Sequence, residues 1–155
     1  MRKENEIKGC ISGSFKFKPE IDRLIDEFHD LGAVILSPEK GWIAMPLFRL
    51  HQLPHPEFRP LPNELGMSIK GIEDNFLRSV GHSDFLYVAN FEGYTGKSTN
   101  LEIGFAFGKG VPVYSFVQMK KEDEGDLWLG RFLEQIKVAT PTEVVNEIRE
   151  KKPLI

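Results

Sequence analysis

The sequence predicts a single-domain α/β protein with three layers, helices covering both faces of a parallel five-stranded sheet. Short, fully apolar runs alternate along the chain with stretches in which apolar residues recur every three or four positions. The first pattern is typical of strands buried on both faces, and the second of amphipathic helices that cover them. With 155 residues the chain has the length of one domain and enough material for a substantial core.

The clearest unit lies between residues 83 and 116. An apolar run, a turn rich in glycine and hydroxyl groups, a helical stretch and a second apolar run follow one another there. This order predicts a strand at 84–90, a helix at 99–109 and a strand at 111–116, which together form a βαβ unit. Ligands of open α/β sheets bind beyond the carboxyl ends of the strands, so the turn from Asn90 to Thr99 is the first place to expect chemistry.

The other elements follow from similar signals. Pro19 suits the first turn of a helix, and Gly32 and Gly81 suit the ends of two helices. The remaining predicted elements are strand 7–12, helix 19–31, strand 33–36, helix 67–80, a charged turn at 120–126, helix 127–136, strand 137–139 and a last helix 140–151. Right-handed crossovers between these strands predict the flavodoxin-like or Rossmann-like order 2-1-3-4-5.

A proline-rich loop at about 37–66 interrupts the pattern. It contains six prolines and several aromatic residues, which is unusual for a connection within a compact domain. The aromatic residues favour an ordered role, as a lid or an arm that contacts a partner. His51 and His55 are four residues apart, but the prolines disfavour the helix that would aim both at a metal ion. We therefore expect neither a metal nor a cofactor.

Composition excludes several partners. The net charge is −3 and no basic stripe is present, which disfavours a nucleic-acid duplex as a partner. The single cysteine, Cys10, lies in a predicted strand and is expected to be a small buried side chain. The first residues lack the apolar segment of a signal peptide, and no apolar run reaches the ~18 residues of a membrane span. We expect a cytoplasmic protein without a membrane partner.

Two turns leave the strands that should adjoin in the middle of the sheet. Each combines glycine, hydroxyl groups and a lysine, and the second opens a helix whose free N–H groups favour an anion. The alternative interpretation is that these residues only form the turns, because glycine and serine are common in turns. The candidate ligand contacts in the two turns are Ser12, Gly13, Ser14, Phe15, Lys16, Asn90, Gly93, Tyr94, Gly96, Ser98 and Thr99.

Glu102 has two interpretations. Thr99-x-x-Glu102 matches a capping box, in which Thr99 is the N-cap and the glutamate bonds back to its N–H group. Alternatively, the carboxylate lies at the crevice, beside a sugar or anion held by the turn. A carboxylate there could attack an anomeric carbon.

The segment from Gly93 to Ala106, with Thr99-x-x-Glu102-Ile103-Gly104 at its centre and Gly110-Val111-Pro112-Val113 after it, resembles the nucleoside 2-deoxyribosyltransferase superfamily. Ile11-Ser12-Gly13-Ser14-Phe15 is similar to the N-terminal motif of that family. The resemblance implies the fold predicted above. It also implies cleavage of the N-glycosidic bond of a 2′-deoxynucleoside or its 5′-monophosphate, by a transferase or by a hydrolase.

The resemblance assigns roles to particular residues. Glu102 matches the nucleophile that forms a covalent deoxyribosyl-enzyme, and Ser14 and Lys16 match phosphate contacts of the monophosphate-hydrolysing branch. Ser98 and Thr99 could assist the nucleophile. As a separate hypothesis, Phe15 and Tyr94 could hold the base by stacking, although either ring could equally serve packing. The resemblance also implies a homodimer or higher homo-oligomer that shares active-site residues.

The chain departs from the family at both acidic positions of the transferases. Gly96 stands six residues before Glu102, where the transferases carry Asp, and Phe76 stands where they carry a second Asp. Asp74 and Glu73 lie close to that second position and are the candidates for the acid that protonates the leaving base.

Two other functions remain open from the sequence. A phosphoribohydrolase of the lysine-decarboxylase-like group also joins a Gly/Thr turn to a glutamate, but its Pro-Gly-Gly-x-Gly-Thr loop is absent here. A nucleotide-binding module without catalysis is the third hypothesis.

Overall fold

The computed structural model describes residues 6–42, 60–93, 95–119 and 135–152. Its strands are β1 Ile7–Ser12, β2 Ala33–Ser37, β3 Phe85–Val88, β4 Val113–Ser115 and β5 Lys137–Val138. Its α-helices are α1 Lys18–Asp30, α2 Ile69–Gly81, α3 Lys97–Gly108 and α4 Pro141–Lys151. Short 3-10 turns occupy Phe15–Phe17, Pro62–Glu64 and Phe91–Gly93. The strands form one parallel sheet in the order β2-β1-β3-β4-β5, which confirms the predicted fold class and strand order.

The core consists of two apolar layers, one on each face of the sheet. Side chains of α1 and α4, such as Phe28 and Val144, pack with Tyr87 of β3 on one face. Side chains of α2 and α3, such as Val80, pack with Leu86 of β3 on the other. Successive residues of a strand point to opposite faces, so a fully apolar strand can fill both layers. The three-layer arrangement follows directly from this alternation.

Strands β1 and β3 are neighbours at the point where the strand order reverses. Ser12 pairs with Val88, so the carboxyl ends of both strands reach the same edge of the sheet. Gly9 leaves room for the Phe85 ring of the neighbouring strand, because a Cβ atom there would lie 2.1 Å from that ring. The register brings the turns that follow β1 and β3 to one crevice, as the fold prediction requires.

Several boundaries differ from those predicted. The helix expected at 99–109 begins two residues earlier, at Lys97, and the strand expected at 111–116 is limited to Val113–Ser115. The helix expected at 67–80 begins at Ile69, after Ser68 caps it by accepting a hydrogen bond from the Gly71 N–H group. The charged turn at 120–126, most of helix 127–136 and residues 43–59 of the proline-rich loop lie outside the described residues.

Cys10 is buried in β1, as expected. Among the helices that the structure describes, none is long and apolar enough to cross a membrane.

Candidate active site

The site is built around Glu102, in the second turn of α3. The helix starts just after β3, so its first turns lie at the carboxyl edge of the sheet. The Glu102 side chain turns inward and is only 6% exposed. There the hydroxyl of Ser12, the last residue of β1, donates a hydrogen bond to Oε1 of Glu102. Two residues that are 90 positions apart in sequence therefore meet at the switch point between β1 and β3.

The capping-box interpretation of Glu102 is wrong. The N-cap of α3 is Gly96, which has no side chain to cap the helix, and Thr99 lies inside the first turn. Glu102 is consequently too far along the helix to bond back to the N-cap. Glu102 bonds to Ser12 of β1 and not to the start of its own helix. Its carboxyl group is therefore not needed to start α3.

Glu73 is the second carboxyl of the site. It lies on α2, on the same face as Phe76 and Val80, which are three and seven residues further on and pack into the core. Helices α2 and α3 pack against each other, which brings the Glu73 carboxyl to that of Glu102. Oε1 of Glu73 is buried and has no hydrogen-bond donor among the described residues. A protonated Glu102 can donate a hydrogen bond to the Glu73 carboxylate.

The two carboxyls change each other's acidity. Burial and the negative charge of Glu73 raise the pKa of Glu102 to about 9, while the hydrogen bond from Ser12 acts in the opposite direction. Burial likewise raises the pKa of Glu73, against the lowering effect of its hydrogen bond with Glu102. Because both carboxylates cannot readily ionise side by side, the pair holds one proton near neutral pH and titrates as a unit.

Asp74, the other candidate acid, lies elsewhere. It is half-exposed and forms an ion pair of 2.6 Å with Lys70 one turn earlier on α2. One residue along a helix rotates the side chain by about 100°, so Glu73 and Asp74 face different surroundings. Of the two candidates, the structure places Glu73 beside Glu102 and Asp74 at the surface.

The turn after β1 runs along the edge of the crevice. Gly13 packs closely against β3, since a Cβ atom there would lie 3.1 Å from the Ala89 carbonyl oxygen. Ser14 caps the turn Phe15–Phe17, and its hydroxyl oxygen accepts a hydrogen bond from the Lys16 N–H group at 3.3 Å. The Lys16 side chain is exposed, with its ammonium group 5.3 Å from the centre of the Phe17 ring.

Phe15 is half-buried at this edge. Its ring meets the Trp42 ring edge-on, with the ring centres 6.4 Å apart. Trp42 lies at the start of the proline-rich loop, so Phe15 connects the turn after β1 with that loop.

Asn90, after β3, is fully buried and has a structural role. Its amide nitrogen donates to the Val117 carbonyl oxygen and the Met119 sulfur, and its amide oxygen accepts from the N–H groups of Phe116 and Val117. These bonds use the full capacity of the side chain. Asn90 therefore holds the segment after β4 against the end of β3, and as it stands its amide has no bond left for a ligand.

The rest of the second turn differs in exposure. Gly93 is buried, with a φ of 77° that favours glycine. Ser98 is exposed and Thr99 is buried within the first turn of α3, while Gly96 is the N-cap. Tyr94 lies outside the described residues.

Sequence reasoning missed a buried cation just after the turn that follows β1. Lys18 is only 1% exposed; its ammonium group pairs with Asp22 and donates to the Glu39 carbonyl oxygen at 2.9 Å. Asp22 also accepts a hydrogen bond from the Gly41 N–H group at 3.3 Å. The spacing of four between Lys18 and Asp22 was a signal of an ion pair on one helix face, although it did not reveal the burial. This cluster fixes the start of the proline-rich loop to α1.

The similarity of this chain to known proteins is a similarity of fold. No protein-family model and no curated protein matches the chain. A crystal structure of a conserved protein from Enterococcus faecalis V583 is similar, with a TM-score of 0.58. The similarity covers 95% of this chain and 99% of that chain at 16% sequence identity. At that identity the likeness concerns the fold, and the chemistry has to be argued from the residues of the site.

Proposed function

We propose that this protein cleaves the N-glycosidic bond of a 2′-deoxynucleoside or its 5′-monophosphate through a covalent deoxyribosyl intermediate on Glu102. The observation that carries the proposal is the contact between the buried Glu102 carboxyl and the carboxyl of the half-buried Glu73, at the carboxyl ends of the central strands. Cleavage with a covalent intermediate needs one carboxylate to attack carbon and one carboxyl to supply a proton. A pair that holds a single proton can meet both needs.

The first step breaks the bond to the base. An oxygen of the ionised Glu102 bonds to C1′ of the sugar while the C1′–N bond breaks and its electron pair goes to the base. The protonated Glu73 gives its proton to the departing base. This requires the proton of the pair to reside on Glu73, and the contact between the two carboxyls provides the route from Glu102.

The second step releases the sugar. Glu73, now a carboxylate, takes a proton from a water molecule whose oxygen bonds to C1′, and the bond from C1′ to Glu102 breaks. In a transferase, the nitrogen of a second base takes the place of this water. Glu73 ends the cycle protonated and Glu102 ionised, so the pair is restored without any further reagent.

The surrounding residues suggest how the substrate would bind. A 5′-phosphate would bind to groups that supply positive charge and hydrogen-bond donors. These are Ser14, Lys16 and the N-terminus of α3 with Ser98 and Thr99. Phe15 and Tyr94 remain the proposed stacking partners of the base. The homodimer implied by the resemblance also belongs to this proposal, and Ile69 and Leu101 are exposed apolar residues at the start of α2 and in α3.

The test is incubation with a panel of 2′-deoxynucleosides and their 5′-monophosphates, with and without a second free base. Mass spectrometry then measures released or exchanged base. Release from monophosphates alone would identify a hydrolase with a phosphate site, and exchange only with added base would identify a transferase. Ribonucleotides serve as the comparison, because turnover of these would favour a phosphoribohydrolase instead.

A second function is supported by one observation. A pKa of about 9 leaves Glu102 mainly protonated at neutral pH in the free protein, which disfavours attack on carbon. A nucleotide-binding module without catalysis would need no ionised glutamate. Calorimetry that shows nucleotide binding, together with no turnover across the panel, would favour this function over the enzyme.

A further inference from the structure

The contact between Ser12 and Glu102 carries a further inference, which rests on the proposed function. Ser12 is 1% exposed and ends β1, so its position is fixed by the sheet. Its hydroxyl donates to Oε1 of Glu102. A serine hydroxyl has one proton to donate, and here that proton goes to the carboxyl at the centre of the site.

We propose that Ser12 is a positioning residue that holds Oε1 of Glu102, leaves Oε2 as the oxygen that attacks C1′, and increases the share of the pair in which Glu73 holds the proton. A hydrogen bond donated to a carboxyl group stabilises its ionised form more than its protonated form. The proton of the pair is therefore pushed away from Glu102, toward the residue that must deliver it to the base. In the free protein Glu102 still holds the proton most of the time, and without Ser12 the share on Glu73 becomes smaller still.

A merely structural role would give a different pH profile. In the wild-type protein the last proton of the pair leaves Glu102 at about pH 9, so base release should decline above that pH. Loss of the Ser12 hydroxyl makes Glu102 a weaker acid and moves this decline to higher pH. It also lowers the rate on the plateau, because a smaller share of the singly protonated pair has its proton on Glu73. Structural damage would lower the plateau without moving the decline.

The variants are Ser12→Ala and Ser12→Thr, with Ser115→Ala as the matched control. Ser115 is also fully buried at the end of a strand, β4, but its hydroxyl donates to the Val117 carbonyl oxygen at 2.8 Å. We expect Ser12→Ala to lower kcat about tenfold and to move the alkaline decline upward by about one pH unit, since the lost bond to a charged group corresponds to roughly that change. Ser12→Thr keeps the hydroxyl and should restore most of the rate.

A second measurement follows Glu102 without any substrate. Glutamate labelled with ¹³C at Cδ reports each carboxyl by NMR, and Glu102→Gln identifies the signal of Glu102. The titration of that signal should move to higher pH in Ser12→Ala and stay in place in Ser115→Ala. An unchanged titration, or an unchanged alkaline limit of activity, would overturn the role of Ser12.

The two readouts separate this inference from the proposed function. If the wild-type protein releases no base but Ser12→Ala still moves the Glu102 titration, the proposed function fails and the control of the Glu102 proton by Ser12 stands. If base is released and Ser12→Ala changes neither titration nor pH profile, the proposed function stands and Ser12 is only part of the core.

Discussion

Replacing Glu102 by glutamine should make the protein more stable and, on the proposed function, inactive. Burial and Glu73 raise the pKa of Glu102 from 4.5 to about 9, so the folded protein holds a proton that the unfolded chain loses. Between these two values the unfolded state binds fewer protons than the folded state. The free energy of unfolding therefore falls as the pH rises from about 4.5 to about 9.

The pKa values give the size of the effect. Each pH unit in this window costs about 1.4 kcal/mol, so Glu102 lowers the stability by about 3 kcal/mol at pH 7 and by up to about 6 kcal/mol at pH 9. Glutamine has nearly the same shape, accepts the Ser12 hydrogen bond through its amide oxygen and offers an N–H group to Glu73. The variant avoids the cost of ionisation and should gain about that free energy.

The assay is urea unfolding of the wild-type protein and Glu102→Gln at pH 5, 7 and 9. We expect similar free energies of unfolding near pH 5 and a difference that widens with pH. Glu150→Gln, which alters an exposed carboxylate on α4, is the control and should leave the pH dependence in place. If Glu102→Gln follows the same pH dependence as the wild type, Glu102 ionises normally and the description of the carboxyl pair is refuted.

Three further changes test other parts of the account. Glu73→Gln removes the proton donor and should lower kcat by about 10² to 10⁴-fold, with a much smaller loss on a substrate whose base is already positively charged; equal losses on both substrates would exclude Glu73 as the acid. Lys16→Ala should reduce kcat/KM for a 5′-monophosphate by about 10- to 100-fold and leave the nucleoside unaffected, since one bond to a charged group is lost. Its control is Lys109→Ala, because the Lys109 ammonium group also lies over a ring, 5.7 Å from the centre of Phe105. An equal loss of kcat/KM for the monophosphate and the nucleoside in Lys16→Ala would contradict a phosphate contact. Lys18→Met leaves Asp22 without its cation and should lower the free energy of unfolding by about 2 to 3 kcal/mol. The loss is smaller than for a fully buried pair because Asp22 is 26% exposed. A free energy of unfolding, measured with urea, within about 0.5 kcal/mol of the wild type is what a surface substitution gives and would show that the pair contributes little.

The fold could be predicted because its signals are local. Fully apolar strands such as Phe85–Val88 and helices with an apolar stripe are legible from neighbouring residues, and their alternation leaves few arrangements. Helix boundaries were less accurate. Thr99 has the spacing of an N-cap, but the residue with the extended backbone of an N-cap is Gly96, three positions earlier, and side-chain spacing does not express that backbone conformation.

The site could be predicted in part. The meeting of the turns after β1 and β3 followed from the topology, and Glu102 was singled out by its motif. The partners of Glu102 depend on contacts between distant residues. Ser12 is predicted as a substrate contact, and its bond to Glu102 is visible only in the structure. The packing of α2 on α3 is what distinguishes Glu73 from Asp74.

The most direct test of the account is a search for the covalent intermediate. The protein is mixed with a 2′-deoxynucleoside 5′-monophosphate, quenched in acid within the first turnover and digested, and the peptides are weighed by mass spectrometry. We predict a deoxyribosyl phosphate group on the peptide that contains Glu102, and its absence in Glu102→Gln. Release of base from the wild-type protein with no adduct, or an adduct that persists in Glu102→Gln, would contradict the account.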